Sequence, residues 1–137
     1  MKTHLSFQTS DLRASVAFYK TLLVSEPAKY YDDYAFFMVD GPALELALNR
    51  ASGKVSIDDS HFGIAVNDDE SVDAAIKRLK AAGYEVDVER EESCCYALQT
   101  KVWTKDPNGR RWEVYTVLAE VEESESCCVN ASAESVA

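Results

Sequence analysis

The chain has 137 residues, with 24 Asp+Glu against 14 Lys+Arg and a formal net charge of −10. Its 47% hydrophobic and 28% charged residues give the profile of a globular protein, at a length that suits one domain. A phosphate-backbone binder needs a basic patch and a membrane span needs about 20 apolar residues in a row, so neither nucleic acid nor membrane is expected as a partner. Met1–Phe7 has no apolar stretch of the secretory kind, which makes the cytoplasm the default location.

In chain order, the body divides into two similar halves. His4-Leu5-Ser6-Phe7-Gln8 alternates polar and apolar residues, as a half-buried strand does. Ser10 and Asp11 are cap residues for a helix through about Val24, with Leu12, Val16, Tyr19 and Leu23 at helical spacing. Strand-like runs follow at Tyr34–Asp40 and Ala43–Asn49, joined across the hairpin signal Asp40-Gly41. The pattern then restarts. His61–Val66 reads as a strand, and Asp68–Ser71 opens a helix bearing Val72, Ala75, Ile76, Leu79 and Ala82 on one face, with Gly83 as its stop. Tyr84–Glu89 alternates as a strand. Val102–Lys105 and Arg110–Val117 flank the strong turn sequence Asp106-Pro107-Asn108-Gly109. From Ala119 to Ala137 five acids, no Lys or Arg and many Ser and Ala predict a disordered acidic tail that carries half of the net charge.

The expected fold is therefore α+β: two tandem βαβββ modules, about residues 3–50 and 60–118, forming one curved mixed sheet in a domain of residues 1–118. The strand-opening histidines stand 57 residues apart, whereas Leu44-Glu45-Leu46 and Trp112-Glu113-Val114 stand 68 apart. The second half thus carries about 11 extra residues before its last strand, and the polar segment Arg90–Thr100 is the expected insertion, with Arg90-Glu91-Glu92-Ser93 read as exposed loop.

Side chains alternate across a strand, so parity assigns faces. Leu5 and Phe7, Phe62 and Ile64, and Trp112 and Val114 pack inward. His4, His61 and Glu113 face the other way, toward the hollow of a curved sheet. These are the chain's two histidines and a strand carboxylate, and together they make a facial triad with open positions. Such a set suits Fe(II) and also accepts Mn(II), Ni(II) or Zn(II). Glu45 has the same parity and is a conceivable fourth ligand, although an ion-paired strand residue is the commoner role.

The four cysteines form two adjacent pairs, Cys94-Cys95 and Cys127-Cys128. Neighbouring cysteines bridge each other poorly, because the small ring strains both the peptide and the disulfide dihedral. They serve better as a soft bidentate clamp for Cu(I), Cd(II), Zn(II) or trivalent arsenic. Cys94-Cys95 lies in the insertion and is the expected clamp. Cys127-Cys128 lies in the acidic tail and is assigned no role.

The paired modules with strand-borne His and Glu resemble the vicinal oxygen chelate superfamily of glyoxalases and extradiol dioxygenases. The run Glu92-Ser93-Cys94-Cys95-Tyr96-Ala97-Leu98-Gln99-Thr100-Lys101-Val102-Trp103, with Asp106-Pro107-Asn108-Gly109 and Trp112-Glu113-Val114-Tyr115, is similar to the organoarsenical C–As lyases and cadmium-induced proteins. That resemblance implies a non-haem Fe(II)-dependent dioxygenase that splits the carbon–arsenic bond of trivalent organoarsenicals such as methylarsonous acid and releases arsenite. Dioxygen would be the co-substrate. His4, His61 and Glu113 would hold the iron, and Cys94 and Cys95 the arsenic, on a mobile loop. Some relatives carry Gln at the position of His4. The competing expectation is a non-catalytic cadmium- or arsenite-binding resistance protein. A superfamily isomerase or drug-binding protein leaves Cys94-Cys95 unexplained. Both modules lie in one chain, so a monomer is sufficient for the site, while a sheet edge also permits a homodimer.

Overall fold

Each predicted repeat folds as a strand, a helix and three further strands. The structure, a computed structural model, describes residues 1–94 and 97–120, with the backbone alone described at 91–94, 97–98 and 118–120. The first repeat is β1 (Thr3–Thr9), α1 (Leu12–Leu23), β2 (Lys29–Tyr30), β3 (Tyr34–Val39) and β4 (Leu44–Arg50). The second is β5 (His61–Ala65), α2 (Asp69–Ala81), β6 (Asp87–Cys94), β7 (Ala97–Lys105) and β8 (Arg111–Glu120). Each repeat builds a four-stranded sheet, and the strand orders correspond: β1-β4-β3-β2 and β5-β8-β7-β6. In the first, β1 runs parallel to β4, while β3 is antiparallel to both β4 and β2. Neither helix is long and apolar enough to cross a membrane.

Local chemistry sets the helix boundaries. The Asp11 carboxylate accepts the Ala14 N–H at 3.0 Å and starts α1. Asp68 does the same for α2, accepting from both the hydroxyl and the N–H of Ser71, and these bonds hold its carboxyl below the usual carboxylate range. After α2, Gly83 at φ +90° lets the chain turn left-handed. Its N–H then reaches the Lys80 carbonyl and the Tyr84 N–H reaches that of Leu79, which is a Schellman closure. The end of α1 makes the same left-handed turn on Val24, a β-branched residue at φ 52°.

The first unit comprises Met1–His61 together with Lys105–Arg111. Its core lies between α1 and one face of its sheet. Phe18, Tyr19, Ala35, Phe37, Leu46 and Leu48 are all fully buried, and each large apolar side chain contributes about 1.5–3 kcal/mol. The predicted face of α1 is buried, and Phe18 and Leu22 widen it. The second unit comprises Phe62–Thr104 together with Trp112–Ala137. There Val72, Ala75 and Leu79 of α2 are buried, as are Val102, Trp112 and Val114. Ala82, expected on that face, is instead the exposed cap residue.

The turn at Asp106–Gly109 also serves as an anchor within the first unit. The Asp106 side chain is fully buried. Its Oδ1 accepts the N–H groups of Asn108 and Arg110, each at 2.9 Å. Its Oδ2 accepts the Tyr19 hydroxyl at 2.6 Å and Arg110 Nη1 at 3.1 Å. Arg110 in turn donates to the Gln8 carbonyl at 2.8 Å, and its guanidinium lies 4.3 Å from the centre of the Phe7 ring. Four donors on one carboxylate make this burial tolerable.

Further expectations change. Arg90-Glu91-Glu92-Ser93 is strand and not loop: β6 starts at Asp87, not Tyr84, and runs through Cys94, and β7 begins at Ala97. Strands of 8 and 9 residues replace the 2 and 6 of β2 and β3, so the extra residues lengthen a hairpin, with a bulge between Glu89 and Glu92. A backbone ladder needs no apolar side chains, which is why polarity misled here. The last strand reaches Glu120, two residues into the expected tail; the rest of that tail lies outside the described residues.

Candidate functional site

Register and parity together define an open face on the first sheet. His4 pairs with Glu45, which pairs with Met38; Ser6, Ala47 and Phe36 form the next rung; Gln8, Asn49 and Tyr34 the third. The opposite parity carries Leu5, Leu46 and Phe37, and the adjacent rung Phe7, Leu48 and Ala35, into or toward the core. His4 is therefore where strand alternation predicts, with its side chain about half exposed. Its Nδ1 lies 3.2 Å from Glu45 Oε1, and its ring centre is 6.4 Å from that of Phe36. A carboxylate on Nδ1 fixes an imidazole's tautomer and leaves Nε2 for a ligand. Glu45 thus has a partner of its own, as the commoner reading of a strand carboxylate anticipated. On the rung beyond, Asn49 Nδ2 donates to Ser6 Oγ at 3.1 Å and to the Phe7 carbonyl at 3.3 Å. The Tyr34 and Phe36 rings stack at 10°.

In the second sheet, Glu113 lies between buried Trp112 and Val114, and points the other way. Its side chain is only 12% exposed and its Oε1 lies 3.3 Å from Lys101 Nζ, whose side chain is 18% exposed. Gly63 of β5 lies against it. A Cβ there would come within 3.2 Å of Glu113 Cγ and 3.1 Å of Tyr115 Cε1, so the glycine keeps open the space beside the carboxylate. His61 opens β5 as an exposed residue of the same parity as Gly63.

His4 and Glu45 are brought together on the first sheet. His4 and Glu113 belong to different units. Among the described residues, no three or more His, Cys, Asp or Glu side chains are gathered as a ready-made metal cluster. Cys94 ends β6, paired through its backbone with Ala97. Its side chain, and all of Cys95, Cys127 and Cys128, lie outside the described residues. Lys101, which belongs to the family-like run but has no catalytic role assigned from sequence, lies beside the Glu113 carboxylate; it is a charged residue between Thr100 and Val102, both fully buried.

Comparison with known proteins identifies the family. A trivalent organoarsenical cleaving enzyme of Thermomonospora curvata is 38% identical over 93% of this chain and 87% of its own. The cadmium-induced protein CadI of Mycobacterium tuberculosis is 41% identical over 88% of this chain and 79% of its own. Among solved structures, a glyoxalase/bleomycin resistance protein/dioxygenase from Alicyclobacillus acidocaldarius superposes with a TM-score of 0.69 at 23% identity, covering 87% of this chain and 92% of its own. The family model for that fold matches residues 3–114, and the chain belongs to the glyoxalase/bleomycin resistance protein/dioxygenase superfamily.

Proposed function

We propose that this protein is an Fe(II)-dependent dioxygenase that cleaves the carbon–arsenic bond of trivalent organoarsenicals, such as methylarsonous acid, and releases arsenite. The observation that carries the reading is the likeness to an organoarsenical cleaving enzyme across nearly the whole chain, in a sequence that holds Cys94-Cys95. Trivalent arsenic is thiophilic, and two adjacent thiols give it a bidentate seat. Thiolates survive as ligands in a reducing compartment, which fits a cytoplasmic enzyme.

His4, His61 and Glu113 would hold the metal. Two features of the chain fit a divalent cation. Two imidazoles and a carboxylate are the donor set that non-haem iron takes, and Gly63 leaves room at the Glu113 carboxylate where any larger residue would press on it. When bound, iron would supply the activation of dioxygen at its open positions. The protein's own work is to hold His4 by Nδ1 through Glu45, to keep the Glu113 carboxylate beside β5, and to present arsenic on the two thiols.

A second reading is supported by the cadmium-induced relatives: capture of cadmium or arsenite by the thiols without turnover. One experiment separates the two. The Fe(II)-loaded protein is incubated with methylarsonous acid in air and arsenic species are resolved by chromatography. The enzyme reading predicts arsenite, its loss without oxygen, and its loss in Cys94→Ser with iron binding intact. Stoichiometric capture with no arsenite, under conditions where an authentic cleaving enzyme turns over, overturns it.

A further inference from the structure

We propose that Lys101 is a displaceable counter-ion: it neutralises Glu113 in the metal-free protein and yields the carboxylate when the metal binds. The inference rests on the reading of Glu113 as a metal ligand. The two side chains sit on neighbouring strands with Nζ 3.3 Å from Oε1, and at 18% and 12% exposure solvent does little to neutralise either charge. Without Lys101, the metal-free fold would keep an anion on a strand between Trp112 and Val114, each 2% exposed.

Glu113 Oε1 faces Lys101, while Oε2 faces Gly63. A divalent cation that takes both oxygens would stand against an ammonium left at 3.3 Å from Oε1, so in this proposal bidentate metal binding and the Lys101–Glu113 pair are competing states of one carboxylate. Lys101 has somewhere to go. Its Nζ already lies 5.8 Å from the centre of the Trp103 ring, on its own strand, and an aromatic face accepts a displaced ammonium. The four-carbon arm of lysine moves the charge without moving β7.

The competition has a sign that a purely structural ion pair lacks: removing Lys101 tightens metal binding while weakening the metal-free fold. Lys101→Met keeps the arm's length and apolar contacts and deletes the charge. Binding of Mn(II) is measured by calorimetry on the metal-free full-length chain, alongside the melting temperature with and without Mn(II). We expect Lys101→Met to bind Mn(II) about tenfold more tightly than the unsubstituted chain. Its metal-free melting temperature falls, and the rise on adding Mn(II) is larger. Lys101→Arg, which keeps the charge, shows no tightening. Lys101→Gln serves as the second charge deletion if Lys101→Met does not fold. Affinity in the charge-deleted chain that is equal to or weaker than wild type, while Glu113→Gln abolishes binding, overturns the counter-ion role and leaves the metal site standing. Unchanged affinity in Glu113→Gln overturns the ligand assignment, and the counter-ion role with it.

Discussion

Replacing Tyr19 by Phe removes one oxygen atom from the core of the first unit and should cost about 2 kcal/mol. The ring is fully buried and stays in place, so no cavity opens. The loss is the 2.6 Å hydrogen bond to Asp106, whose carboxylate is inaccessible to water and cannot replace the lost donor. Bonds to a charged acceptor contribute about 1.5–3 kcal/mol net. The remaining donor to Oδ2 is Arg110 Nη1 at 3.1 Å. Against a total stability of about 5–15 kcal/mol, a loss of this size is a substantial fraction. Urea unfolding monitored by circular dichroism should show a lower midpoint, by about 1 M, with an unchanged slope. Asp106→Asn should cost more, about 3–5 kcal/mol, because at this fully buried position the amide places N–H groups against the Arg110 guanidinium. In the Asp106→Asn background, Tyr19→Phe should cost at least about 1 kcal/mol less than alone. A Tyr19→Phe cost below about 0.5 kcal/mol, or equal costs in both backgrounds, would refute the view of Asp106 as the anchor of this unit.

The remaining predictions concern backbone positions. Val24→Gly should raise stability by about 0.5–1 kcal/mol, because a β-branched residue at φ 52° is strained and its side chain, 70% exposed, gives up little burial; a fall in melting temperature would count against this. Gly63→Ala should weaken Mn(II) affinity severalfold, because a Cβ within 3.2 Å of Glu113 Cγ pushes that carboxylate by a few tenths of an ångström. Unchanged affinity in that variant would show that the space beside Glu113 is not used by the metal.

Strand parity, helix caps and the two-repeat plan were legible because each rests on neighbours in sequence. Phe7, Trp112 and Val114 are buried and His4 and His61 exposed as alternation requires. β2 escaped notice because two residues, Lys29 and Tyr30, carry no period. The strand at Arg90–Ser93 is not legible because its side chains are polar, whereas its ladder is made by the main chain. Glu113 falls on a strand by alternation, whereas Lys101 lies just before the expected strand Val102–Lys105; their pairing depends on register and side-chain reach, which alternation does not encode. The thiol clamp of Cys94 and Cys95, and Cys127-Cys128, fall where the structure does not describe the side chains.

The attachment of Lys105–Arg111 to the first unit bears on how separable the two repeats are. By sequence, Asp106–Gly109 is a surface hairpin tip of the second repeat, a natural place to cut or insert. By structure it supplies the acceptor for Tyr19, so a fragment ending at residue 61 would keep α1 and its four strands yet lose the partner of a fully buried hydroxyl. The internal symmetry is therefore one of pattern and not of independence. A half-length ancestor of this chain would have needed its own substitute for Asp106. Residues 51–60, between β4 and β5, carry no helix or strand, so a cut there leaves the 105–111 turn closed.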